Sequence, residues 1–206
     1  MKKRLLFLAL MIVLVVSLFC VTASAAIYSG SCGESLTWCF DSASDVLNIS
    51  GNGAMDNYTD KKDVPWYSHR RSIETVVIEE SVATIGDYAF YFCDEMPSVT
   101  FGNGVTTIGK EAFEHCDSLA SVTIGRGVTT IGRNAFTNWN LEEVHISDLA
   151  AWCQIEYEQA ECNPIYCSKG NVYIDGEAVT DLVIPDTVTS IGKYAFSGYS
   201  ALRSCS

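Results

Sequence analysis

Basic residues are scarce in this 206-residue chain: 13 Lys and Arg face 25 Asp and Glu, for a formal net charge of −12. Three of the 13 are Lys2, Lys3 and Arg4, and the first 25 positions contain no acid. The remainder is more acidic still, which sets it against phosphate backbones and anionic lipid surfaces and excludes nucleic acid as an expected partner. Histidine is rarer: His69, His115 and His145 are the whole supply for proton transfer. A second long apolar run is missing after Val21, so no membrane span is expected once the leader is removed. Charged residues make up only 18% against 48% hydrophobic, which excludes a wholly disordered polyampholyte.

What is present begins with an export signal. Lys2-Lys3-Arg4 precedes the apolar run Leu5–Val21, and Ala23-Ser24-Ala25 follows as a small-x-small cleavage site. Residues 1–25 read as a signal peptide, leaving 26–206 as the mature chain. An uncleaved anchor is the alternative, since the run is near the lower length limit for a span. The expected localisation is secreted or cell surface.

The strongest signal is internal repetition. Val82-Ala-Thr-Ile-Gly-Asp-Tyr-Ala-Phe90 recurs as Val105–Phe113, Val128–Phe136 and Val188–Phe196, in the form V-x-x-I-G-x-x-A-F. A strand signature, apolar-x-x-apolar-x-apolar, accompanies it at Ile73/Val76/Ile78, Met96/Val99/Phe101, Leu119/Val122/Ile124, Leu141/Val144/Ile146 and Val179/Leu182/Ile184. Alternation within each copy predicts a short strand with every second side chain inward. Gly86, Gly109, Gly132 and Gly192 mark a turn that tolerates no Cβ, and the Ala-Phe pair is expected to open a short helical turn. One unit is too small to fold alone. Stacked neighbours must share one apolar column and pair their strands, which gives an α/β solenoid with a strand-lined concave face and a turn-rich convex face.

Val105 to Ile124 reproduces almost whole the pattern V-T-x-I-G-x-x-A-F-x-x-C-x-S-L-x-S-V-T-I, and residues 73–206 thereby resemble the BspA-like leucine-rich repeats of exported bacterial proteins. The segment 30–72 is similar to the module that precedes such repeats, through Ser31–Trp38, Leu47–Met55 and Pro65–Tyr67. The resemblance implies a leucine-rich-repeat solenoid used in adhesion and recognition, with no catalytic residues and no cofactor.

Two segments break the period. Leu36, Trp38 and Phe40 alternate, as do Leu47 and Ile49, which predicts a β-hairpin covering the open end of the first coil, with the cap spanning 26–72. Between Ile146 and Ile184 the spacing lengthens, so 147–184 reads as one elongated coil. It holds Leu149-Ala-Ala-Trp-Cys153, a short helix capped by Asp148 or Ser147, and Val172-Tyr-Ile174 before the hairpin turn Asp175-Gly176. At the other end Leu202-x-x-Cys205 starts a further strand signature that stops short, which would leave Ile191, Phe196 and Leu202 half exposed. The chain reads as a fragment of a longer protein, or as having an open end that pairs with another copy.

Eight cysteines remain after cleavage: Cys32, Cys39, Cys93, Cys116, Cys153, Cys162, Cys167 and Cys205. Cys93 and Cys116 share a repeat position with Trp139 and Tyr199, which marks it as a packed apolar site. Stacking would also bring the two cysteines near bonding distance, and a bond between Cys32 and Cys39, which flank the first strand of the cap, is a second option that export permits. Cys153, Cys162 and Cys167 lack the paired close spacing of a zinc site. A Cys153 nucleophile with His145 as base has no evident orienting group, so no enzyme is expected. Asp56, Asp60 and Asp63 lack the spacing and glycine of a calcium loop and read as a solvated acidic loop.

Surface recognition remains. Strand side chains pointing outward form one stripe of Val77, Thr100, Thr123, His145 and Val183 and a second of Thr75, Ser98, Ser121, Glu143 and Asp181. Two rows on a rigid sheet form a docking surface that costs little ordering entropy, although Thr and Ser are also ordinary solvent-facing strand residues. The expected partner is an extracellular protein or glycan. The alternative is a structural spacer that displays another domain absent from this chain.

Overall fold

A computed structural model describes residues 25–137, 140–168, 171–200 and 203–205. Residues 1–24 of the expected signal peptide, Trp139 and Leu202 lie outside the described residues.

The chain opens with three antiparallel strands, β1 (Ile27–Ser31), β2 (Leu36–Asp41) and β3 (Val46–Gly51), in which Trp38 pairs with Gly30 and Ile49. Leu36, Trp38, Phe40, Leu47 and Ile49 are buried, as their alternation requires. The flanking strand β1, which no pattern announces, is exposed along its whole length. The next strand of this sheet, β5 (Thr75–Ile78), runs parallel to β3 and starts the repeats.

From there each coil contributes two short strands. One set comprises β7 (Ser98–Thr100), β9 (Ser121–Ile124), β11 (Glu143–Ile146) and β13 (Asn171–Ile174), all parallel, with Val99, Val122, Val144 and Val172 in one inward row. In the second, the V-x-x-I segments form β6 (Val82–Ile85), β8 (Thr107–Ile108) and β10 (Thr130–Ile131), flanked by β4 (Gly53–Ala54) and β12 (Glu156–Tyr157), again parallel. The reading of one strand per coil is corrected by this second ladder. β-branched Thr and Ile at these positions suit a pleated edge, and each coil sits where it can extend the ladder of the last.

Among the described residues no helix follows the Ala-Phe pair. The backbone turns there through left-handed residues, Tyr88 (φ 62°), Glu111 (φ 54°) and Asn134 (φ 57°), and again at Phe92 and His115 (both φ 60°). This turn hydrogen-bonds within itself, Tyr91 N–H to the Tyr88 carbonyl (3.0 Å) and Cys93 N–H to Phe90 (3.1 Å), and also to the next coil: the Tyr88 N–H donates to the Lys110 carbonyl (2.9 Å), Phe90 to Ala112 (2.8 Å) and Phe113 to Ala135 (2.8 Å). The α/β expectation is corrected to a largely β structure. Its short helices α1 (Leu149–Trp152) and α2 (Pro164–Cys167) both lie in the elongated coil, and Asp148 caps α1 by accepting from the Ala151 N–H at 2.9 Å.

The core is a column. Phe90, Phe113 and Phe136 stack face to face, with centroids 5.0 and 5.4 Å apart, and Trp66 continues the stack 5.8 Å from Phe90. Val82, Val105 and Val128 and Ile85, Ile108 and Ile131 form flanking buried rows. Cys93 and Cys116 are equally buried. Cys93 is a free thiol and the Cys116 thiol donates to the Phe90 carbonyl (3.0 Å), so the two coils are joined here by packing and not by a disulfide. Cys32 and Cys39 are likewise free thiols.

Asp175 (φ 52°) and Gly176 (φ 82°) turn β13 into β14 (Glu177–Ala178), which closes that sheet with an antiparallel edge. β15 (Asp181–Leu182) stands apart and pairs in parallel with β16 (Ser204–Cys205).

Candidate functional site: the outward rows of the strand ladder

Along β7, β9 and β11 the inward valines fix the register, and the register places the side chains between them in straight rows. Ser121 lies between Ser98 and Glu143, and Thr123 between Thr100 and His145. Parallel neighbours stand about 4.8 Å apart, so adjacent hydroxyls and charges in a row are within reach of one group on a partner.

Thr75 and Val77 are exposed on β5, and Val77 is 45% accessible. Their hydrogen-bonded neighbours lie in the hairpin, where Val77 pairs with Asn48 and Asn48 with Cys39. Val77 therefore shares a row with Asn48 and Cys39, which sequence reading left out, in the four-stranded sheet β1–β2–β3–β5, separate from the sheet that holds β7, β9, β11 and β13.

At the other end the rows are corrected. β13, not the Val179/Leu182/Ile184 copy, is the ladder neighbour of β11, and it places Asn171 beside Glu143 and Tyr173 beside His145. Asp181 and Val183 belong to neither row: Asp181 pairs with Ser204 in a separate sheet, and Val183 is an isolated, 69% exposed side chain just beyond it. The signal was available, since Asn171 and Tyr173 alternate with inward Val172 and Ile174, but the nearby turn drew that segment into a hairpin with no place in the ladder.

Glu143, His145 and Tyr173 form one joined cluster. The His145 Nε2 lies 3.1 Å from the Glu143 Oε2, its ring stacks on Tyr173 at 4.6 Å and 16°, and the Tyr173 hydroxyl reaches the Glu143 Oε1 at 3.5 Å. An acid, an imidazole and a phenol are thus held rigidly on the open face. Cys153, by contrast, is buried at the end of α1, and a nucleophile needs an exposed thiolate.

Elsewhere the titratable groups serve the fold. Burial first, and Asp56 second, pushes the Cys32 thiol up to about 11, and burial raises Cys93 and Cys116 further. Asp60 accepts from the Lys62 N–H (2.8 Å) and caps a short 3-10 turn, Lys61–Asp63. The Cys162 sulfur accepts from the Gln159 N–H at 3.3 Å and the Cys167 thiol lies 3.8 Å from the Glu161 carbonyl. Among the described residues no three His, Cys, Asp or Glu side chains converge as a metal site.

A family model for the BspA type leucine rich repeat region matches residues 66–157 and 170–206 in six copies. The chain belongs to this family. Three solved structures with similar coils are leucine-rich repeat proteins. One from Eubacterium ventriosum is 20% identical, with a TM-score of 0.48 over 87% of this chain and 62% of its own. One from Bacteroides ovatus is 20% identical, with a TM-score of 0.43 over 84% and 40%. A leucine rich cell surface protein from Faecalibacterium prausnitzii is 22% identical, with a TM-score of 0.39 over 90% and 55%. The BspA-type chain thus spans 40–62% of these proteins' lengths. No curated protein matches it in sequence. Among its described residues no helix is long and apolar enough to cross a membrane.

Proposed function

We propose that this BspA-type repeat chain is an exported or cell-surface recognition protein whose outward ladder rows bind an extracellular protein or glycan, serving adhesion. Family membership supports a binding role over a catalytic one. The positively charged start, apolar run and Ala23-Ser24-Ala25 site support export. In this reading the chain is a leucine-rich-repeat solenoid over 73–206, the rows line its concave face, and the hairpin of residues 26–72 caps its first coil.

The observation that carries the reading is the register of β7, β9, β11 and β13, which presents hydroxyl, acid, imidazole and phenol groups in two straight rows from a rigid sheet. Their order is fixed before any partner arrives, so binding loses little side-chain freedom. The test is an array of matrix proteins and glycans probed with residues 26–206. Saturable capture by one ligand class is expected. A folded chain that captures nothing overturns the recognition reading in favour of a spacer.

A further inference from the structure

The second ladder stops one rung early. In the regular coils the glycine after each isoleucine reaches back to the isoleucine of the previous coil: the Gly109 N–H donates to the Ile85 carbonyl (2.9 Å) and the Gly132 N–H to the Ile108 carbonyl (2.8 Å). The last repeat carries the same Val188-Thr-Ser-Ile-Gly192, yet its Gly192 N–H donates to the Cys153 carbonyl (2.6 Å), four residues ahead of Tyr157, which holds the isoleucine place. The Gln154 amide fixes the slipped segment by donating to the Ser190 carbonyl (2.8 Å).

The slip opens a cleft of about 440 Å³ between Gln154, Glu156 and Tyr157 on one side and Ser190, Gly192 and Lys193 on the other. Its floor includes β12, which is the terminal strand of its five-stranded sheet. Ile191 is 48% exposed, whereas its counterparts Ile85, Ile108 and Ile131 are at most 1% exposed.

We propose that this cleft takes a short extended peptide, which adds to the outer edge of β12 as the missing rung. A strand edge offers alternating N–H and C=O groups that only another backbone satisfies in series. The ladder itself specifies the side chains. The inner row, Ile85–Ile108–Ile131–Tyr157, calls for an aliphatic residue. The outer row, Thr84–Thr107–Thr130–Glu156, ends on an exposed carboxylate and calls for a basic residue beside it. The Lys193 ammonium on the facing wall sits over the Tyr194 ring at 4.5 Å, and the acidic balance of the chain further favours a cationic peptide. The occupant is thus an extended segment with a basic residue directly before an aliphatic one. This inference stands independently of the outward rows.

Fluorescence anisotropy with the exported chain and a blocked, labelled hexapeptide, Val-Thr-Lys-Ile-Gly-Ser, tests it. Saturable binding is expected. Replacing the peptide's Lys by Glu should weaken it about five- to tenfold, and replacing its Ile by Asp should abolish it. Glu156→Lys, an exposed change, should reverse the Lys-over-Glu preference, while Thr107→Lys, two rungs away, should leave it intact. Absence of saturable binding, equal affinity for the Lys and Glu peptides, or a preference unmoved by Glu156→Lys would each overturn the proposal.

Discussion

At the residue scale, the glycine of V-x-x-I-G is needed for what lies beside it rather than for its own conformation. A Cβ on Gly109 would stand 2.6 Å from the Asp87 nitrogen and the Gly86 carbonyl carbon, and one on Gly132 2.7 Å from the Lys110 nitrogen. Coils approach at this column backbone to backbone. Gly109→Ala should therefore destabilise the chain by about 1–3 kcal/mol, through forced separation of two coils, read as a lower urea midpoint. Left-handed Tyr88, Glu111 and Asn134, two residues further on, take the conformational strain that a glycine might have been expected to carry.

Glu114 is the residue whose titration should be visible in stability. Burial first, then its hydrogen bond and repulsion with Glu111, raise its carboxyl to about 7, against the lowering influence of Lys61 and Lys110. The folded chain then holds this proton more tightly than the unfolded one, so the contribution is fully present below about pH 4.5 and is lost as pH rises toward 7. Glu114→Gln should flatten the fall in melting temperature across that window and leave a more stable protein at pH 8. An unchanged pH profile would contradict the assignment.

At the scale of elements, a buried amide is central to the joint between the elongated coil and the last repeat. Asn163 is fully buried; its Nδ2 donates to the Tyr194 and Ala195 carbonyls at 2.7 and 2.8 Å, and its Oδ1 accepts from the Ile165 N–H at 2.8 Å. Trp152 donates its indole N–H to the same Ala195 carbonyl (2.8 Å). Asn163→Ala should cost about 2–3 kcal/mol by stranding these backbone groups, with amide exchange accelerated in 190–200 before the earlier coils. Uniform acceleration along the chain would argue against a local joint.

The elements also show what a sequence can and cannot reveal. The strands 98–100, 121–124 and 143–146, the hairpin of 36–51, the Asp148 cap and the Asp175-Gly176 turn were all legible, because each depends on local alternation or local turn chemistry. The second ladder was not, since Thr107–Ile108 and Thr130–Ile131 are strands only by virtue of the neighbouring coil. Helical turns after Ala-Phe were expected for the same reason: nothing local announces that Tyr88 and Phe90 donate to the next coil. Within the candidate site, Thr100, Thr123 and His145 followed from period two, but the step from His145 to Tyr173 crosses an excursion whose length hides the pairing.

At the scale of the whole molecule, stability is shared between neighbours through the phenylalanine column and two ladders, and a break in either is felt by the coils on both sides. One such break is built in where the second ladder ends at β12, while the outward rows run without interruption from β7 to β13. A rigid face beside an interrupted edge gives the molecule two chemically different surfaces. The face carries the central claim.

That claim is tested most directly by the dissociation constant of the captured matrix protein or glycan, measured by calorimetry for the parent chain and for Thr100→Ala/Thr123→Ala/His145→Ala. Outward residues carry little of the fold, so the triple variant should keep the parent circular dichroism and melting temperature while affinity falls at least tenfold, about 1.4 kcal/mol. Equal affinity in the two proteins would contradict the account and remove the ladder rows as the recognition surface.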